Sequence, residues 1–86
     1  MGRRRDFDTI KNAEIVTIGE LARLTNLRYS TLKFYTEEKM IPYVQEEENL
    51  TRRYNRVEAI SVISKIVDLR AQGFSIPEIK AKLEEK

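Results

Sequence analysis

The 86-residue sequence contains no cysteine and no histidine. Without cysteine there is no disulfide, no thiol nucleophile and no thiolate metal site. Without histidine the usual general base and the commonest metal ligand are missing as well. The carboxylates that could do such work stand in solvated clusters, Glu37-Glu38 and Glu46-Glu47-Glu48, rather than in obvious pairs. We therefore assign no catalytic residue, metal ligand or cofactor, and expect no enzyme. No apolar run approaches the roughly 20 residues of a membrane span, so no membrane partner is expected. The opening MGRRRDFDTIKN is basic but lacks an apolar h-region. A secretory signal is not expected, and the chain reads as cytoplasmic. Internal repeats and low-complexity tracts are absent too.

What is present fits one globular domain with a thin core. Hydrophobic residues make up 41% and charged residues 35%, which is too apolar for a disordered chain. The net charge of +2 says little by itself, but its distribution says more. Residues 57–86 balance five bases against five acids, so the excess lies in residues 1–56. There the bases gather at Arg3-Arg4-Arg5, at Arg28 and Lys33, and at Arg52-Arg53-Arg56. Folding can bring such clusters onto one basic face without making a basic protein.

Residues 1–15 carry little periodicity and read as a flexible basic arm, with Phe7 and Ile10 docking loosely. Its Arg3-Arg4-Arg5 run reads as a solvated tail, with a minor-groove or phosphate contact as the alternative. Residues 16–86 read as the folded domain. Thr17-Ile18-Gly19-Glu20 has the form of a capping box, and Ile18, Leu21 and Ala22 then share a helical face. Asn26 suits a left-handed bend that ends this helix. A second helix of about ten residues follows, with Leu32 and Tyr35 on its inner side at i, i+3. Pro42 ends helical character. Met40 to Tyr54 then reads as two extended segments joined by an acidic, solvated turn.

Asn55 and Glu58 predict the cap of a third and longest helix. Its stripes Ala59/Val62/Ile66/Leu69 and Ile60/Ile63/Val67 cover so wide an arc that it must be a central strut. Any part left exposed becomes a surface for self-association. Gly73 suits the C′ position, Phe74 folds back on the last turn, and Ser75-Ile76-Pro77-Glu78 starts a fourth helix. Ile76, Ile79 and Leu83 give that helix its apolar stripe.

Two of these helices meet at Asn26. A helix-turn-helix needs a small residue at the crossing, a bend that tolerates positive φ, and an aliphatic residue packing back. Leu21, Ala22, Asn26, Leu27 and Leu32 supply that set. The outward positions of the second helix are then Tyr29, Ser30 and Lys33, with Arg28 and Thr31 more oblique. These side chains can donate to phosphates and to base edges in a major groove. After the hairpin, Arg52 and Arg53 point to opposite sides of an extended segment, so one can reach a phosphate. The plainer reading of both features is a solvated polar helix face and a solvated basic strand.

TIGELARLTNLRYSTLKFYTEEKMIP, TRRYN and LRAQGFSIPEIKAKL, in that order, resemble the DNA-binding domain of MerR-type transcription regulators. The likeness runs from about Val16 to Leu83. It implies a mainly α fold: a winged helix-turn-helix with a second helix pair and a small two-stranded wing. It implies sequence-specific binding of double-stranded DNA in transcription regulation, with Tyr29, Ser30 and Lys33 in the groove and Tyr35 and Arg52 on the backbone. RNA polymerase and self-association on DNA are further candidate partners. The sequence departs from the family pattern at Arg28, where a small N-cap is usual, and at Phe34, where a tyrosine is usual. Glu46-Glu47-Glu48 at the wing tip would repel phosphate. No dimerisation helix or effector domain follows in this chain, which leaves two alternatives to the regulator. One is a small architectural or excisionase-like protein that binds DNA cooperatively. The other is a protein-interaction module that uses the fold as scaffold.

Overall fold

The computed structural model describes residues 5–45 and 51–84. The acidic turn at residues 46–48 and the arm residues Arg3 and Arg4 lie outside them. Among the described residues the chain forms α1 (Phe7–Asn12), β1 (Ile15–Val16), α2 (Ile18–Thr25), α3 (Tyr29–Glu37), β2 (Tyr54–Asn55), α4 (Arg56–Ala71) and α5 (Ile76–Glu84).

Local chemistry sets most of these boundaries. Thr17 and Glu20 close a full capping box at the start of α2, with bonds of 2.9 and 3.2 Å. Asn26 ends that helix with φ 60°, in the left-handed region that Asn tolerates. Asn55 caps α4 by accepting from the Glu58 N–H at 2.9 Å. Ser75 and Glu78 bond reciprocally ahead of α5. Helix α4 ends in a Schellman motif, with Gly73 N–H on the Arg70 carbonyl and Phe74 N–H on the Leu69 carbonyl. Helix α3 ends in the same way, with Lys39 N–H on the Thr36 carbonyl and Met40 N–H on the Tyr35 carbonyl. There the left-handed residue is Lys39, at φ 62°, so α3 stops before Pro42 is reached.

The core gathers Val16, Leu21, Leu32, Tyr35, Met40, Ile41, Tyr54, Ala59, Ile63, Ile66 and Ile79. Helix α4 touches α2, α5 and β2, as a strut must. Its second stripe is less buried than expected. Ile63 is 2% exposed, but Val67 is 44% exposed.

The stretch read as a flexible arm contains secondary structure from Phe7 onward. Asp6 caps α1 by accepting from the Thr9 N–H at 2.8 Å, and Ile10 is fully buried. Six residues are too few for a helix to persist alone, so tertiary contacts hold it. Arg5 grips the Glu20 carboxylate through two bonds, of 2.7 and 2.6 Å, and reaches the Ile15 carbonyl. Arg23 bonds back to the Arg5 carbonyl. Arg56 closes the other side, its Nε donating to the Ala13 carbonyl at 2.6 Å and its N–H to that of Glu14.

The small sheet also differs from the expected hairpin. Its two named strands are β1 and β2, antiparallel, with Ile15 opposite Asn55 and Val16 opposite Tyr54. The hairpin arms meet at one bridge, Val44 with Arg53, through bonds of 2.8 and 2.9 Å. The wing is therefore rooted in the strand that precedes α2.

Candidate nucleic-acid interface

Helix α3 has two sharply different sides. Leu32 is fully buried, Thr36 is 1% exposed and Tyr35 is 6% exposed. Tyr29, Ser30, Lys33, Phe34 and Glu37 are all exposed. At 3.6 residues per turn those five positions fall within an arc of about 140°. Arg28 is the exposed N-cap residue and makes no side-chain cap bond, so its guanidinium is left to other partners. Thr31 sits at the edge of the arc and is half-buried.

Tyr35, also of the predicted set, lies off this exposed arc. It packs in the core with its ring centroid 6.0 Å from that of Phe34. The i, i+3 pairing with Leu32 decides its side. Phe34, read only as a missing hydrogen bond, instead presents an apolar ring beside Lys33.

The wing residues converge on the same helix. Arg52 stacks its guanidinium 5.0 Å from the Tyr43 ring centroid, and its Nη2 lies 3.9 Å from the Glu37 carboxylate. Its Nε is buried and has no hydrogen-bond partner among the described residues. Arg53 is exposed. Tyr54, two residues after Arg52, is fully buried and joins the Thr36 hydroxyl at 2.9 Å. Burial pushes its phenol above the ordinary value. The Thr36 hydroxyl also donates to the Leu32 carbonyl at 2.9 Å. Its single hydrogen is thereby used, so Tyr54 must be the donor to Thr36.

Sequence reasoning missed Glu37 and Tyr43 as parts of this surface. Glu37 stands one turn after Lys33, so helical spacing alone could have placed it on the outward arc. Nothing local marks Tyr43 as the partner of Arg52.

A helix-turn-helix bent at Asn26, with a bridged wing beside its second helix and a helix pair behind, is a winged helix-turn-helix. The family model for MerR HTH family regulatory proteins matches residues 16–86. The chain belongs to that family, a family of DNA-binding transcription regulators. It is similar to an HTH-type transcriptional activator SoxR homolog from Chromobacterium violaceum, at 41% identity over 68 residues. The match covers 79% of this chain and 45% of that relative, so the chain spans about half the length of the relative. No solved structure matches. No helix among the described residues is long and apolar enough to cross a membrane.

Proposed function

We propose that this chain binds double-stranded DNA sequence-specifically and regulates transcription, in the cytoplasm or nucleoid. Helix α3 enters the major groove, with Tyr29, Ser30, Thr31 and Lys33 toward base edges. Arg28, Arg52 and Arg53 lie on the flanking backbone. The observation that carries this reading is the division of α3. One side is locked into the core through Leu32, Tyr35 and Thr36, and the opposite arc offers exposed donors. A helix held on one side and polar on the other can be pressed into a groove without unfolding. RNA polymerase and a second copy of the chain on DNA are the protein partners this role calls for.

The test is anisotropy titration of labelled duplexes selected from a random pool, at a series of salt concentrations. Affinity falls steeply with salt, because each phosphate contact releases a counterion. A flat response would refute the reading and favour a protein-interaction module. Footprinting on the selected site then separates one symmetric pair of half-sites, expected of a dimeric regulator, from a footprint that extends cooperatively along DNA.

A further inference from the structure

The face assigned to DNA carries an acid. Glu37 is exposed and lies on the same arc of α3 as Tyr29 and Lys33. Its carboxylate meets Arg52, the wing residue assigned to phosphate, at 3.9 Å. That distance is an ion pair outside hydrogen-bond range. Arg52 does not depend on it for placement. Its guanidinium already rests on the Tyr43 ring, its side chain is 27% exposed, and its backbone is fixed between the Val44–Arg53 bridge and buried Tyr54.

We infer that Glu37 occupies the phosphate position on Arg52 in the free protein and so competes with the DNA backbone for it. The inference rests on the DNA-binding reading above. The chemistry is substitution of one oxyanion for another. A carboxylate and a phosphate oxygen accept the same N–H donors of a guanidinium, and both cannot sit there without like-charge repulsion. DNA must displace Glu37 before Arg52 can take a phosphate. Binding to every sequence is weakened alike, so the ratio of affinities between sites is unchanged. Glu37 thus sets overall affinity for the DNA backbone and reads no base itself.

The experiment measures affinity for one mixed-sequence duplex across a salt series, using wild type, Glu37→Gln, Arg52→Gln and the double variant. Arg52→Gln keeps a polar stem beside Tyr43 and removes the charge, and thermal melts confirm that all four chains are folded. Glu37→Gln is expected to bind roughly two- to fivefold tighter, the range of an exposed ion pair. Its log–log salt slope should stay near that of wild type, because Arg52 holds the same phosphate in both complexes once Glu37 is displaced. In the Arg52→Gln background the gain should vanish. A gain of equal size in that background would show Glu37 acting by general charge repulsion and would overturn the inference. Unchanged or weaker binding by Glu37→Gln would overturn it as well. Either result leaves the DNA-binding reading intact, because wild type would still bind with steep salt dependence. If wild type fails to bind, that reading itself falls.

Discussion

The buried bond between Thr36 and Tyr54 can be broken from either end, and the two ends are not equivalent. Tyr54 is the donor and Thr36 the acceptor, because the Thr36 hydrogen is committed to the Leu32 carbonyl. Tyr54→Phe removes the donor and leaves Thr36 still bonded to Leu32. That should cost about 1 kcal/mol, the net value of an ordinary hydrogen bond. Thr36→Val preserves shape but strands the Tyr54 hydroxyl at a fully buried position. An unsatisfied buried donor costs about 1–3 kcal/mol. For a chain of this size each kcal/mol moves the melting temperature by about 4–8 °C. The double variant removes both polar groups and should recover part of the Thr36→Val loss. Urea titration followed by far-ultraviolet circular dichroism, with melts in parallel, gives all four stabilities. If Tyr54→Phe is the more damaging single change, or if the double variant is less stable than Thr36→Val alone, the donor assignment is wrong.

Three further outcomes follow from the same geometry. Lys39→Gly should stabilise by about 0.5–1 kcal/mol, since a left-handed non-glycine costs roughly 1–2 kcal/mol and glycine returns part of that through unfolded-state entropy. Lys39→Ala keeps the Cβ, and an equal gain from it in a urea titration would refute the backbone argument. Glu20 titrates from 4.5 when unfolded to about 2 in the fold, held down first by the bonds from Arg5. A depressed acid stabilises above its unfolded value and loses that contribution as pH falls toward its folded one. Melting temperature should therefore drop between pH 4.5 and about 2, with the drop smaller in Glu20→Gln; identical profiles would dismiss the Arg5 grip. Lys33→Ala should cost about 1–3 kcal/mol on a selected site if it reads a base, whereas equal loss on random duplexes would make it a phosphate contact.

How much of this was legible depended on how far apart the interacting residues lie. The caps at Thr17 and Ser75, the bend at Asn26 and the glycine stop at Gly73 are interactions across three to five residues. Their signals sit in the local sequence. The two-sided nature of α3 was legible for the same reason, through the spacing of Leu32 against Tyr29, Ser30 and Lys33. Tyr35 was ambiguous, because its spacing placed it inward while the family likeness drew it outward. Distant partners left no local mark. Arg5 with Glu20, β1 with β2 and Arg56 with Ala13 each join segments that only the folded chain brings together. The helical segment at Phe7–Asn12 was hidden because its order comes from those long-range bonds rather than from its own periodicity. Lys39 was hidden for the opposite reason: lysine gives no hint of a left-handed backbone.

The Thr36–Tyr54 bond also explains why the wing and the recognition helix should act as one surface. Along an extended strand, residues two apart share a side, so Arg52 lies on the side of Tyr54, toward α3, and Arg53 lies on the other. Fixing Tyr54 against Thr36 therefore sets how far Arg52 stands from Glu37 and from the groove-facing arc. Residues that hold the core thus control the spacing between the helix proposed to read bases and the strand proposed to hold phosphate. The spacing of phosphates across a groove is set by the DNA, so a protein that contacts both must hold its own two contacts rigidly. A buried, fully desolvated hydrogen bond provides that rigidity where a solvated ion pair between the same elements would not. Loosening the Tyr54 anchor should consequently weaken DNA binding even at temperatures where the chain remains folded.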